Sequence, residues 1–276
     1  MVIIHKASLQ GHRDSNEDKE IIEINMNKTS SSKHRLNIYG VFDGHGGKGI
    51  SKYLADNYTQ YFMSLGRPKP IESKKTYQKH IIAVYKHIQT KLTKQFKTLS
   101  NNMGSAACTI IHYRKNHNNM IYVINLGDCR AVLCNKYDIA LPLTKDHKPS
   151  NYDETIRIQS MGGTITQIPG DDPRIEGLSL SRAFGDLDTK PYVSHIPEIF
   201  RYKLDPRDKF LILACDGLWD VFSNQQAANF VLNKMRNVRR LSNQYHNTPS
   251  NIAKMLAAEA IRRGSMDNVS VLLVFL

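Results

Sequence analysis

The chain has 276 residues, 41% of them hydrophobic, enough to bury a full core in one large domain or at most two small ones. No apolar run approaches the ~18 residues that cross a bilayer, and the opening MVIIHKASLQ has neither a signal-peptide core nor a glycine after Met1. Membrane-spanning, secreted and myristoylated classes are therefore set aside, an intracellular protein (cytoplasmic, nuclear or both) is expected, and the formal charge of +13 is a field that would attract nucleic acid, an anionic surface or phosphorylated substrates.

In chain order, the β-rich runs VIIHKASL, IIEINM and LNIYGVF predict three strands, with a surface loop over residues 27–35 (NKTSSSKHR) before the third. Ile50, Leu54, Tyr58 and Phe62, then Tyr77, Ile81, Val84, Ile88, Leu92, Phe96 and Leu99, recur at three- and four-residue steps and predict two long amphipathic helices. Lysines from Lys69 to Lys97 recur along the second; they read as a solvated face, with contact to an acidic protein or to RNA as the alternative. ACTIIHY and IYVINL flank NHNN as a hairpin, and AVLC, FLILAC and VSVLLVFL supply the remaining strands. A further helix is expected from about Ser223 to Met235, then a basic polar connector over 236–248. The last helix begins after Thr248, with Pro249 in its first turn, and stops at Gly264. Long helices grouped between strand runs indicate α+β architecture instead of a doubly wound parallel sheet. Cys108, Cys129, Cys134 and Cys215 form no C-x-x-C pair and sit in or beside apolar runs, which predicts buried thiols and disfavours disulfides and structural zinc.

Several strands run into acids. IYGVFDGHGG leads to Asp43, Gly44 and His45; IYVINLGDC leads to Asp128; FLILACDGLWD leads to Asp216; Asp267 precedes the last strand, and Glu17 and Asp18 precede the second. One Asp-Gly after a strand is ordinarily a turn. Carboxylates brought to the ends of different strands can converge, however, and converging like charges need a cation among them. Oxygen ligands without a Cys or His cluster suit Mg²⁺ or Mn²⁺ better than zinc. Gly44, lacking a side chain, lets its carbonyl approach such an ion. His45, beside it, carries an imidazole, the side chain type suited to giving a proton near neutrality. Arg13 can hold an anion bidentately.

Taken in order, GHRDSNED, VFDGHGG, GSAAC, NLGDCRAVL, TKDHKPSN, RIQSMGG, LSLSRAFGD, LACDGLWDV and GSMDNVSVLLV resemble the metal-dependent Ser/Thr protein phosphatases of type 2C over nearly the whole chain. The resemblance implies an α+β, four-layer α/β/β/α sandwich with two mainly antiparallel central sheets. It implies one catalytic domain over residues 1–276, with a small flap over about 145–179. Two ions, Mg²⁺ or Mn²⁺, would lie at one edge of the sheets. Asp43 would bridge them, the Gly44 carbonyl would bind one, Asp216 and Asp267 the other, and Glu17 and Asp18 would act through coordinated water. Asp128 with Asp216 would hold a weaker third ion. Arg13 would grip the substrate phosphate and His45 would protonate the departing oxygen. A monomer acting on phosphorylated proteins, away from membranes, is expected.

His12, Cys129 and Met266 depart from residues usual in that family, but none removes a matched ligand, so a catalytically dead relative is disfavoured. IPGDDPRIEG in the flap places Asp171, Asp172 and Glu176 where they could alter which phosphopeptides enter. Three rivals are weaker. Cys108 and Arg114 stand in C-x-x-x-x-x-R order, but the bulky TIIHY between them is a strand, not an anion loop. GHGGKGIS has glycine after its lysine where a P-loop needs Ser or Thr. A metal-dependent nuclease would use similar ions, but no aromatics interleave with the basic run to stack bases.

Overall fold

The computed structural model of the protein describes residues 2–26, 34–64, 74–115, 118–242 and 251–276. Two antiparallel sheets form its centre. One contains β1 (Ile3–Leu9), β6 (Arg130–Cys134), β7 (Ala140–Pro142), β10 (Phe210–Ala214) and β11 (Val269–Phe275), in the spatial order β1-β11-β10-β6-β7. The other contains β2 (Lys19–Glu23), β3 (His34–His45), β4 (Gly104–Lys115), β5 (Asn118–Leu126) and β9 (Glu198–Lys203) in chain order, with β8 (Phe184–Gly185) added against the start of β4.

Side-chain alternation explains why these strands read as unbroken apolar runs: both faces are covered. Tyr39 and Val41 of β3 meet Leu211 and Leu213 of β10 and Leu272 and Val274 of β11 in the core between the sheets. The flanking Ile38 and Phe42, on the other face of β3, pack outward against α1 (Gly49–Ser64) and α2 (Lys74–Gln95). On the opposite side, Phe210 and Ile212 face α6 (Asn224–Ser242) and α7 (Ile252–Arg262). Helix, sheet, sheet, helix is the resulting order: the α+β class that the grouping of helices and strands predicts, in the sandwich that the family resemblance implies.

Ile50, Leu54, Tyr58 and Phe62 of α1 and Tyr77, Ile81, Val84, Ile88 and Leu92 of α2 are buried, as their spacing requires. Lys75, Lys79, Lys86 and Lys94 are exposed on the other face of α2. The predicted run to Leu99 is interrupted. Phe96 leaves helical geometry at φ −130° and ψ 32° and packs edge-on against Tyr53 of α1, with ring centroids 4.9 Å apart, before a short α3 (Lys97–Asn102). At the other end of the chain α6 continues through Ser242, past the predicted stop near Met235 and into the expected connector. α7 opens at Ile252, three residues past the start expected at Pro249, and Asn251 caps it, its side chain accepting the Lys254 N–H at 3.1 Å. Pro249 and residues 27–33 of the expected loop lie outside the described residues, and His34 and Arg35 already belong to β3.

The segment 145–179 contains α4 (Tyr152–Ser160) and two isolated bridges, Thr166 with Arg174 and Ile175 with Leu178. Buried Glu154 of α4 anchors it, accepting hydrogen bonds from Arg182, from Arg157 at 2.8 Å and from Ser181 at 2.7 Å.

Candidate metal centre and phosphate site

Strand register brings the acids together. Lys19 pairs with Phe42, so Asp18, one residue before β2, falls beside Asp43 near the end of β3. Ala214 pairs with Val271, so Asp216, opening the short α5 (Asp216–Trp219), lies at the same sheet end as Asp267, two residues before β11. Asp128 follows β5 through Gly127. A cavity of about 400 Å³ opens there, lined by Arg13, Glu17, Asp43, Gly44, His45, Asp128, Asp216 and Asp267 among others. Of the nine residues singled out in the sequence, only Asp18 is not among its walls; it lies directly behind, within reach of Asp43.

Carboxylate oxygens of Asp43, Asp128 and Asp216 all lie within 4.8 Å of one another, and the ligand atoms of Asp18, Asp43 and Cys215 make a second such group. Burial, then the charges of Asp216, Asp18, Asp128 and Asp267, push the Asp43 pKa well above its ordinary 3.8. Asp216 is pushed up by burial and by Asp128, Asp220 and Asp267. Burial raises Asp18 and Asp128 to about 6 each, and Asp18 keeps one buried oxygen, Oδ2, without a partner. Hard oxygen donors, mutual repulsion and an orphaned carboxylate oxygen together fit divalent cations such as Mg²⁺ or Mn²⁺.

Gly44 has a packing reason of its own, because a Cβ there would press on the Glu17 carbonyl and on Ser51 of α1. The Glu17 carboxylate accepts the Gly47 N–H at 2.9 Å and the Ser15 hydroxyl at 3.2 Å. Arg13, on the loop between β1 and β2, donates to Asp267 at 2.6 Å, so the expected phosphate ligand and an expected metal ligand are in contact.

Two residues without an assigned role in the sequence reading shape the site. Asn268 donates to the Gln10 carbonyl at 2.7 Å and the Ser15 carbonyl at 2.9 Å, and accepts the Glu17 N–H at 2.9 Å; it ties the Arg13 loop to β11. A polar residue directly before an apolar strand was its only signal. Asp186 meets His45 Nε2 with both carboxylate oxygens, at 2.8 and 2.9 Å. Its signal was a further apolar-Gly-Asp run, AFGD, shorter than the others.

None of the flap acids Asp171, Asp172 and Glu176 lines the cavity. Asp171 pairs with Arg174 at 2.8 Å and Asp172 with Lys148 at 3.1 Å, and the flap residue that reaches the cavity wall with charge is Arg174. All four cysteines are free and buried. Cys108 sits within β4, so the C-x-x-x-x-x-R order makes no anion loop.

Comparison with known proteins agrees with this geometry. A family profile described as Protein phosphatase 2C matches residues 4–269. The integrin-linked kinase-associated serine/threonine phosphatase 2C of Rattus norvegicus is 33% identical over 288 aligned positions, covering 97% of this chain and 71% of the rat protein. A PP2C-like domain-containing protein of Acanthamoeba polyphaga mimivirus is 48% identical over 168 residues, 56% of this chain and 93% of the viral protein. Among solved structures, a serine-threonine phosphatase 2C from Toxoplasma gondii superposes with a TM-score of 0.77 at 24% identity, covering 99% of this chain and 94% of that one, a likeness of fold.

Proposed function

Because the chain belongs to the protein phosphatase 2C family of serine/threonine phosphatases, we propose that it hydrolyses phosphoserine and phosphothreonine in proteins at a centre of two divalent cations, Mg²⁺ or Mn²⁺. The observation that carries the reading is the convergence of Asp43, Asp128 and Asp216 within 4.8 Å, in a field made almost wholly of other carboxylates. Asp43, the Gly44 carbonyl, Asp216 and Asp267 would hold the cations, Glu17 and Asp18 would act through water, and Asp128 with Asp216 would take a weaker third. When bound, the cations neutralise the cluster and make a water acidic enough to attack phosphorus in line at neutral pH.

The chain's own groups do the rest. Arg13, exposed and on a loop stapled by Asn268, turns its guanidinium fork from Asp267 to the phosphate oxygens, where it offsets charge that grows as the P–O bond breaks. His45 gives a proton to the departing serine or threonine oxygen, a poor leaving group without one. The attacking group is water, so no phosphoenzyme forms. Incubation with Mn²⁺ and a phosphothreonine peptide tests the reading. Phosphate release that Asp43→Asn abolishes is expected; cleavage of labelled DNA or RNA with the peptide left intact would replace it with a nuclease.

A further inference from the structure

We infer that Asp186 is the positioning residue for His45: it fixes which ring nitrogen faces the leaving oxygen. The inference rests on the proposed general-acid role of His45 and goes beyond it.

Asp186 is nearly inaccessible, at 2% exposure, and its carboxylate oxygens lie 2.8 and 2.9 Å from Nε2. A carboxylate only accepts, so Nε2 carries the hydrogen. His45 lines the cavity, and with Nε2 committed to Asp186, Nδ1 is the ring nitrogen left to meet a substrate. In the charged ring both nitrogens carry protons. The Nδ1 proton passes to the leaving oxygen as its bond to phosphorus breaks, the neutral ring remains as the Nε2–H form that Asp186 holds, and solvent returns a proton to Nδ1 before the next turnover.

The surroundings are built to keep this pair in place. Asp186 has a left-handed backbone, φ +47°, next to Gly185 at φ +78°. Gly185 is bracketed by buried Gln89 of α2, which accepts its N–H at 3.1 Å and donates to its carbonyl at 3.2 Å. The Asp186 N–H donates to the Met103 carbonyl at 3.0 Å. Tyr85 of α2 stacks on Phe184 of β8, with centroids 4.8 Å apart. Opposite His45 in the β3–β4 register stands Gly104, where any Cβ would overlap both the Asp186 carboxylate and the His45 ring. A strand position that admits no side chain, a left-handed aspartate and a buried glutamine clamp converge on one hydrogen bond.

The test compares a phosphothreonine peptide with an aryl phosphate, whose phenolate leaves without protonation, in wild type, Asp186→Asn, His45→Ala and the double variant at saturating Mn²⁺. Asp186→Asn is expected to lose at least about tenfold more kcat on the peptide than on the aryl ester, and to add less than about threefold to the loss already caused by His45→Ala. The Mn²⁺-induced rise in Tm should persist in Asp186→Asn. Equal losses on the two substrates, or a loss that multiplies in the His45→Ala background, would overturn the inference. A wild-type measurement avoids dependence on any variant folding: ¹⁵N spectra of the neutral His45 ring, assigned by difference with His45→Gln, should show the Nε2–H tautomer, and an Nδ1–H tautomer would refute it. Absence of peptide hydrolysis by the wild type would instead remove the phosphatase reading itself.

Discussion

Asp43 and Asp216 repel each other and their neighbours, so replacing either by asparagine deletes a proposed ligand while relieving the fold of like-charge strain. Asp216→Asn should lower phosphopeptide turnover at limiting Mn²⁺ by at least about a hundredfold, roughly 2.7 kcal/mol of transition-state stabilisation. Its metal-free Tm should be no lower than that of the wild type; calorimetry showing a fall of several degrees would contradict the repulsion argument. Glu154 is the opposite case. Burial works to raise its carboxyl, but hydrogen bonds from Arg182, Arg157 and Ser181 prevail and lower its pKa from 4.5 to about 2. The folded-state value is depressed, so the stability it contributes is complete above 4.5 and is lost as pH falls through about 2. Urea unfolding should find Glu154→Gln destabilised by on the order of 3 kcal/mol at pH 7, with more than half of that gap gone by pH 3. A gap independent of pH would mean that the ion pairs do not account for it. Asp43, Asp128, Asp216 and Asp267 were legible in the sequence because each adjoins an apolar strand. The partnership of His45 with Asp186 was not, because it joins residues 141 apart across a two-residue strand.

Among elements, α7 owes its start to Asn251, whose side chain accepts the Lys254 N–H and donates to the Lys6 carbonyl of β1 at 2.8 Å. Asn251→Ala should cost about 1 kcal/mol in chemical unfolding, with little change in Mn²⁺-supported turnover; an unchanged midpoint would mean that the cap is not used in solution. Here Pro249 puts the expected start three residues early, since proline favours a helix's first turn but does not fix which residue opens it, and α7 opens at Ile252. The long helices and strands were legible because both faces of β10 and β11 and one stripe of α1 and α2 are apolar, so periodicity reports burial directly. β7 and β8 have three residues and two, too few to show a period, and β9 alternates weakly because much of it is exposed. In α2 the apolar spacing runs on through Phe96 while the backbone turns to seat that ring on Tyr53, a tertiary contact that no local pattern encodes.

At the scale of the whole molecule, the two sheets place strand ends from distant parts of the chain around one cavity. Residues 13–18 and 267–268 meet because β1 and β11 are antiparallel neighbours, with Leu9 opposite Val269. Asp43 joins them through β2 and β3, and Asp128 and Asp216 through β5 and β10. The sandwich thus lets rigid elements hold five aspartates against their own repulsion, at a free-energy cost that bound cations would offset. Anomalous diffraction from crystals soaked in Mn²⁺ tests this most directly. Two or more manganese peaks are expected between Asp43, Asp216 and Asp267; a well-ordered cavity in saturating Mn²⁺ with no peak at Asp43 would contradict the account.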